Sequence, residues 1–191
     1  MGCNCKKKNN NIDMKKVVMR DQNQTEGLLD LINELGDVSN KTMIEIGSFI
    51  GESTIIFARH FKHVIAVDPF LSGYDPKDPT SNFNFEDVFQ EFKNTIEEQK
   101  QKITVYKMMS DDAVKLLKEQ YDFVYIDGLH TYDGVKEDIK NYLPLVKEGG
   151  VIGGHDYGTP NPHLLGVTLA VDELLGQPDK RFKDGSWLKY V

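Results

Sequence analysis

The chain has 191 residues, of which 39% are hydrophobic and 28% are charged, and its formal net charge is −7. This length suits one globular domain with a complete core. The negative charge argues against general nucleic-acid binding, which usually requires a basic face. No apolar run approaches the ~20 residues that a membrane-spanning helix needs, and we expect no secretory leader after the first lysines.

The N-terminal segment is polar and contains both cysteines, Cys3 and Cys5, beside lysines and asparagines. A core without thiols fits a reducing cytoplasm, where we expect the protein to lie. Acylated cysteines next to lysines would make a lipid anchor, although Lys6 stands where N-myristoylation uses Ser or Thr. The polar composition is equally typical of a disordered tail. We predict a flexible polar, basic tail over residues 1–22 and one domain over residues 23–191.

Helical and strand patterns alternate after this tail. Thr25 is the predicted N-cap of the first helix, and Gly36 its end. Strands are predicted at 42–46, 64–68, 103–108, 122–126 and 150–154, with helices at about 51–61, at about 85–99, from Ser110, near 132–143 and after Asn161-Pro162. Such alternation predicts an α/β fold with parallel strands and helices on both faces of the sheet. The residues around Asp184-Gly185 predict an antiparallel hairpin at the end.

The first strand runs into a glycine turn, Glu45-Ile46-Gly47-Ser48-Phe49-Ile50-Gly51, and the second strand ends at Asp68. A dinucleotide fingerprint requires a glycine where Phe49 stands, which disfavours an oxidoreductase. An acidic Glu45 suits a cofactor with an ammonium group, and S-adenosylmethionine is the predicted one. The next helix start and Ser53 would hold its carboxylate, and Asp68 its ribose hydroxyls. The alternatives are a tight turn at the glycines and an Asp-Pro turn at Asp68.

Polar residues follow the other predicted strands as well. Ser110 and Asp111 come after the third strand; we expect Ser110 to cap the next helix while its neighbourhood lines the adenine. The predicted cofactor-binding residues are Glu45, Gly47, Ser48, Gly51, Ser53, Asp68, Ser110, Asp111 and Asp127.

Two further segments, Asp127-Gly128-Leu129-His130 and His155-Asp156, follow the fourth and fifth strands. Carboxylates at adjacent strand ends can hold a divalent cation, which would lower the pKa of a substrate hydroxyl. The predicted metal ligands are Asp127, His155 and Asp156. His130 is the predicted base, because an imidazole titrates in the useful range, and Asp127 and His130 are the predicted catalytic pair. Alternatively, Asp127 caps the next helix and His130 is a solvated loop residue.

From about Thr42 to the C-terminus the chain resembles the class I S-adenosylmethionine-dependent methyltransferases. It is most similar to the bacterial group related to macrocin-type sugar O-methyltransferases and cephalosporin hydroxylase-like proteins. The similarity rests on Glu-Ile-Gly-Ser-Phe-Ile-Gly-Glu-Ser-Thr, Ile-Asp-Gly-x-His-x-Tyr and Gly-Gly-x-Ile-x-x-His-Asp-Tyr. It implies a Rossmann-like, mostly parallel seven-stranded sheet that ends in an antiparallel hairpin.

The resemblance also implies roles for single residues. Gly47 and Ser53 would contact the methionine part of the cofactor, Asp68 the ribose, and Ser110 and Asp111 the adenine. Asp127 and Asp156 would bind metal, and His130 would be the base. One position departs from the pattern, because metal-dependent relatives have a carboxylate where this chain has His155. Mg²⁺ prefers oxygen ligands, whereas an imidazole suits Mn²⁺, Fe²⁺ or Zn²⁺.

The expected reaction is in-line methyl transfer to a hydroxyl oxygen of a small molecule or sugar. The loop over residues 69–84 has the length of a lid, and its aromatic residues either cover the acceptor or pack ordinarily. They are Phe70, Tyr74 and Phe83, with Phe85 just beyond. The alternatives are a cofactor-binding module without catalysis and a nucleobase-amine methyltransferase, whose Asn/Asp-Pro-Pro-Tyr motif is replaced by Asp-Gly-Leu-His. A homo-oligomer is compatible with the sequence.

Overall fold

The computed structural model describes residues 17–75 and 78–191, so the Cys3 and Cys5 segment lies outside the described residues. The helices are α1 (Gln22–Glu34), α2 (Glu52–His60), α3 (Phe85–Ile96), α4 (Ser110–Ala113), α5 (Tyr132–Tyr142) and α6 (Leu165–Leu175). The strands are β1 (Thr42–Ile46), β2 (His63–Val67), β3 (Ile103–Tyr106), β4 (Tyr121–Ile126), β5 (Val146–Gly154), β6 (Lys180–Arg181) and β7 (Trp187–Tyr190).

The strands form one seven-stranded sheet in the order β3-β2-β1-β4-β5-β7-β6. Strands β1 to β5 are parallel, and β7 is antiparallel to both β5 and β6. The predicted parallel sheet and closing hairpin are therefore confirmed. The chain returns from β3, at one side of the sheet, to β4 beside β1. The strand order therefore reverses between β1 and β4, and the carboxyl ends of these two strands flank a crevice.

Hydrophobic side chains cover both faces of the sheet, which explains why the central strands read as continuous apolar runs. On one face Phe123 and Tyr125 pack with residues of α1, α2 and α3. On the other face Val124 and Ile126 pack with residues of α5 and α6. The alternation of side chains along β4 thus places helices on both sides, as predicted.

The start of α1 corrects one prediction. Thr25 does not cap this helix; the N-cap is Asp21, whose side chain accepts from the amide of Gln24. The Gln24 side chain in turn accepts from the amide of Asp21, which completes a capping box. The apolar pattern begins later than the helix does, because the first turn of α1 is polar and lies at the surface. Gly36 follows the C-cap Leu35 in a left-handed conformation.

Two further boundaries differ from the predictions. Ser110 does not cap α4, since the cap position is Met109, which makes no side-chain bond. Strand β5 begins at Val146 rather than at residue 150, although Gly149-Gly150 reads as a turn. The pairing of β5 with β4 shifts register in this region, so the two glycines fit inside an irregular strand.

Within residues 17–75 and 78–191, no helix has both the length and the apolar character that crossing a membrane would demand.

Candidate active site

The turn after β1 depends on two glycines. Gly47 has a φ of +84°, and a Cβ there would lie 2.0 Å from the carbonyl oxygen of Asp127. Gly51 has a φ of +83° and occupies the N-cap position of α2. Left-handed backbone of this kind favours glycine. The two residues therefore bring β1, β4 and the start of α2 close together at one edge of the sheet.

Asp68 fastens this turn from the end of β2. Its Oδ2 accepts from the amides of Ser48 and Phe49, both at 2.9 Å, and its Oδ1 accepts from Phe70 at 2.7 Å. Burial raises the pKa of Asp68, and these three backbone bonds oppose the rise. The carboxylate is thus a structural element of the glycine turn, and its predicted contact with ribose stays a prediction.

Glu45 lies completely buried beneath the turn. Its Oε2 accepts from the hydroxyls of Ser48, at 3.1 Å, and Thr54. Its Oε1 has no hydrogen-bond partner among the described residues. Burial raises the pKa of Glu45 to about 7, against the opposing effect of the hydroxyls of Ser53 and Thr54. Ser53 is also buried, so neither it nor Glu45 lies in the open crevice.

The turn that precedes α4 is held by α5. The Tyr142 hydroxyl donates to the carbonyl oxygen of Ser110 at 2.8 Å, and the Asn141 amide donates to Asp111 Oδ1 at 3.0 Å. The Ser110 hydroxyl also interacts with the buried carboxyl group of Asp138. Helix α5 therefore fixes the position of both residues that are predicted to line the adenine.

Three side chains converge at the carboxyl ends of β4 and β5. His130 Nε2 lies 3.4 Å from Asp127 Oδ1 and 3.2 Å from Asp156 Oδ2. One ligand atom from each of Asp127, His130 and Asp156 lies within 4.8 Å of the others, a spacing that could hold a metal ion. These three residues are called the three-donor group below. The helix α5 is capped by Thr131, so the alternative role of Asp127 as its cap is excluded. His130 is only 25% exposed and is not a solvated loop residue.

His155 does not belong to this three-donor group, although it was predicted as a metal ligand. Its Nδ1 lies 3.1 Å from Asp156 Oδ1 and 3.8 Å from Asp127 Oδ1. Its Nε2 is buried without a hydrogen-bond partner among the described residues and lies 3.9 Å from Asp184 Oδ2. His130 stands in this group, since its Nε2 lies 3.4 Å from Asp127 Oδ1 and 3.2 Å from Asp156 Oδ2. The role of His155 as a metal ligand stays a prediction.

The imidazoles of His130 and His155 both lie next to the carboxylates of Asp127 and Asp156. Burial opposes protonation of His155, but Asp127 and Asp156 outweigh it and raise its pKa to about 9. The pKa of His130 is also raised, by Asp127, Asp156 and Asp78, against burial. The pKa of Asp127 is lowered, because the nearby cations outweigh the cost of burial. The neighbouring carboxylates therefore favour the protonated form of both rings.

A buried arginine that was not predicted completes the cluster. Arg20 Nη2 lies 3.3 Å from Asp127 Oδ2 and 3.4 Å from the Tyr125 hydroxyl, and Nη1 lies 3.6 Å from Asp184 Oδ2. Burial opposes its charge, but Tyr125, Asp127 and Asp184 raise the pKa of Arg20. Residues 17–20 looked like part of a polar tail, so no sequence pattern indicated this contact.

The loop over residues 69–84 contributes both packing and charge. Phe70 is buried against Phe89 and Phe92, so it belongs to the core rather than to a lid. Tyr74 is 37% exposed, and its hydroxyl donates to Asp78 Oδ2 at 2.6 Å. Asp78 is close enough to His130 to help raise its pKa. Asp78 of this loop therefore adds negative charge near His130.

Backbone strain is concentrated at the same edge. Among the described residues that are not glycine, three have positive φ values: Phe49 at 44°, Phe70 at 49° and Asp156 at 65°. Each follows the carboxyl end of a parallel strand. Such conformations cost on the order of 1–3 kcal/mol each and collect at functional sites. The edge that holds the glycine turn and the three-donor group is thus also where the fold stores strain.

A family model described as "Methyltransferase domain" matches residues 44–157. Solved structures with a similar fold include cofactor-bound Rv0187 from MTB (TM-score 0.67, 16% identity, covering 94% of this chain and 85% of that chain). Another is an O-methyltransferase from Bacillus cereus in complex with SAH (TM-score 0.61, 16% identity, covering 92% of this chain and 83% of that chain). A third is CalS11, described as a TDP-rhamnose 3'-O-methyltransferase (TM-score 0.60, 14% identity, covering 89% of this chain and 80% of that chain). No curated protein matches the chain significantly in sequence.

Proposed function

The chain belongs to the methyltransferase-domain family, and we propose that it transfers the methyl group of S-adenosylmethionine to a hydroxyl oxygen of a small molecule or sugar. The observation that carries the proposal is the position of His130 Nε2, 3.4 Å from Asp127 and 3.2 Å from Asp156, beside the glycine turn. An imidazole held by two carboxylates next to a cofactor crevice suits proton removal from an acceptor hydroxyl.

The cofactor side of the crevice fits this donor. S-adenosylmethionine supplies a methyl group that its sulfonium already activates. Glu45 is completely buried beneath the glycine turn, so it would support the shape of this turn and would not contact the ammonium group of the donor directly. The first amides of α2 would bind the carboxylate of the methionine part. Asp68 keeps lone pairs beyond those used by three backbone amides, and these could accept from ribose hydroxyls.

On the acceptor side the protein supplies alignment and a proton acceptor. The acceptor oxygen must approach opposite the departing sulfur, so a fixed orientation contributes much of the rate. His130 must be neutral to take a proton, and its carboxylate neighbours favour the protonated ring. A cationic donor in the crevice would counter this effect. His130 would then pass its proton to solvent after transfer.

A divalent cation would be held by Asp127, His130 and Asp156. It would act as a Lewis acid on the acceptor hydroxyl. The mixed nitrogen and oxygen donors suit Mn²⁺, Fe²⁺ or Zn²⁺ better than Mg²⁺. Both carboxylate contacts use the same Nε2 atom of His130, so this nitrogen cannot be ligand and base at once.

The nature of the acceptor is supported by the fold neighbours. CalS11 is named as a sugar O-methyltransferase and the Bacillus cereus protein as an O-methyltransferase. Hydroxyl-bearing acceptors also suit a pocket with several carboxylates, which accept hydrogen bonds from hydroxyls. A domain without cysteine beyond Cys5 suits the reducing cytoplasm, where we place the enzyme.

The test uses labelled S-adenosylmethionine with fractionated cell extract, together with calorimetry of S-adenosylhomocysteine. Replacing His130 by Ala should lower methyl transfer at least ~100-fold, because a positioned base contributes 10²- to 10⁴-fold. The affinity for S-adenosylhomocysteine should stay within ~3-fold. His60→Ala, an exposed histidine in the last turn of α2, is the matched control and should change neither quantity.

Two results would contradict the proposal. An absence of heat with both S-adenosylmethionine and S-adenosylhomocysteine would remove the cofactor assignment. Binding of the cofactor without methyl transfer to an acceptor in any fraction would favour a cofactor-binding module. Chelation separates the two roles of His130. Methyl transfer that survives EDTA supports His130 as the base, whereas transfer that is lost with EDTA and restored by Mn²⁺ supports His130 as a metal ligand.

A further inference from the structure

Residues 17–21, which directly precede α1, are called the N-terminal strap below; they cross the edge of the sheet formed by the carboxyl ends of the parallel strands. The amides of Met19 and Arg20 both donate to Glu52 Oε2 at 2.9 Å. Glu52 is the first residue of α2 and directly follows the glycine turn. Val17 packs against the core on the same side. The strap is therefore attached to the start of α2, next to the glycine turn, and from there Arg20 reaches the three-donor group.

Arg20 carries a buried charge into that group. Its side chain is only 8% exposed, and its partner Asp184 is 0% exposed. Asp184 is fixed from its own hairpin, where it accepts from the amide and hydroxyl of Ser186. Buried charges without partners are strongly destabilising, so this arginine is not an incidental surface contact.

The two carboxylate oxygens of Asp127 face different partners. Oδ2 faces Arg20 at 3.3 Å. Oδ1 faces His130 at 3.4 Å and His155 at 3.8 Å. A carboxylate that is held through one oxygen cannot rotate freely about its terminal torsion, so the other oxygen keeps a fixed direction. Without Arg20, both oxygens of Asp127 would be free to turn toward the imidazoles.

We infer that Arg20, brought over the functional edge by the N-terminal strap, is a positioning residue that holds the carboxylate of Asp127 in its reactive orientation. This inference rests on the proposed methyl transfer, because it assigns Arg20 a role in that reaction. Because the Arg20 side chain is only 8% exposed, we assign it no direct contact with the acceptor. Its loss should therefore lower the turnover rate while the cofactor binds normally.

The experiment must separate positioning from folding, since Arg20→Met alone leaves the buried carboxylate of Asp184 without its arginine partner, although Ser186 and His155 still contact it. The double variant Arg20→Met/Asp184→Asn removes both charges. Asn can still accept from the Ser186 amide through Oδ1, and its Nδ2 can donate to the Ser186 hydroxyl. We expect this protein to regain most of the stability that Arg20→Met loses in urea denaturation. Its turnover, measured with a fixed acceptor fraction and varied S-adenosylmethionine, should stay roughly 10- to 100-fold below that of the wild type.

Three further measurements complete the design. The Michaelis constant for S-adenosylmethionine and the affinity for S-adenosylhomocysteine should stay within ~2-fold in the double variant. Arg20→Lys should recover part of the turnover, because an ammonium offers a charge without the guanidinium fork. Arg59→Met, which removes an exposed arginine paired with Glu98, should leave turnover unchanged.

Turnover that returns together with stability in the double variant would overturn the inference, since Arg20 would then be merely structural. A parallel loss of cofactor affinity and turnover would overturn it too, because the strap would then act through the glycine turn. A wild-type protein that binds no cofactor or transfers no methyl group refutes the proposed function itself, and the wild-type arm detects this separately.

Discussion

Asp138 shows at the scale of one residue how the fold tolerates a buried carboxyl group. It lies on α5, is 4% exposed and interacts with the Ser110 hydroxyl. Burial raises the pKa of Asp138 to about 7, and the nearby Asp111 and Glu137 add to the rise. The group is therefore neutral over much of the acid range, where a carboxylic acid can also donate a hydrogen bond.

Stability should consequently depend on pH through this residue. The unfolded chain loses the Asp138 proton near pH 3.8, whereas the folded chain keeps it until about pH 7. The folded state binds more protons between these values, so the free energy of unfolding falls as pH rises through this window. One pKa unit corresponds to about 1.4 kcal/mol.

We expect Asp138→Asn to abolish this share of the decline. Urea denaturation between pH 4.5 and pH 8 should show the stability of the variant, relative to that of the wild type, rising with pH by up to ~3 kcal/mol. Glu45 titrates in both proteins and cancels in the comparison. A difference between the two proteins that does not change with pH would contradict the assignment of the raised pKa to Asp138.

Single residues also show where sequence reasoning succeeds. Asp68, Asp127 and Asp156 each follow a predicted strand, so parallel topology alone brings them to one edge. Arg20 and Asp184 could not be found this way, since their meeting joins distant parts of the chain. Asp184 also has a sufficient local explanation as a hairpin turn residue. The hairpin pattern accounts for Asp184 by itself and therefore gives no indication of its contact with Arg20.

At the scale of elements, α1 illustrates how a helix end differs from its hydrophobic pattern. The capping box of Asp21 and Gln24 lies a full turn before the first buried residues of this helix, Gly27 and Leu28. Capping depends on local hydrogen bonds of the first turn, whereas the pattern reports only burial. The same distinction explains why the predicted helices and strands exist but differ by a few residues at their ends.

The position of the cap can be tested directly. Asp21→Ala should lower the free energy of unfolding by ~1 kcal/mol, the usual cost of losing an N-cap. Thr25→Ala should have no cost, because this position lies inside the helix and Ala favours helices. Chemical denaturation of both variants measures the contrast. The reverse order of effects would restore Thr25 as the cap.

At the scale of the whole molecule, the site is built from strands that differ in how well the sheet protects their amides from hydrogen exchange. Strands β1 and β4 lie in the middle of the sheet, whereas β6 is an edge strand with only two residues. Glu45 and Asp127 belong to the centre, but Asp184 lies in the hairpin between β6 and β7. The Arg20 contact therefore joins the most protected part of the sheet to one of the least protected.

Hydrogen exchange should reveal this gradient. We expect the amides of β1 and β4 to exchange slowest, near the limit set by global unfolding, and those of β6 to exchange fastest among the strands. Arg20→Met should accelerate exchange around Asp184 and Ser186 more than in β4, because the arginine ties the hairpin to Asp127. Equal acceleration in both regions would mean that the variant destabilises the whole domain, and the hairpin would not open as a separate unit.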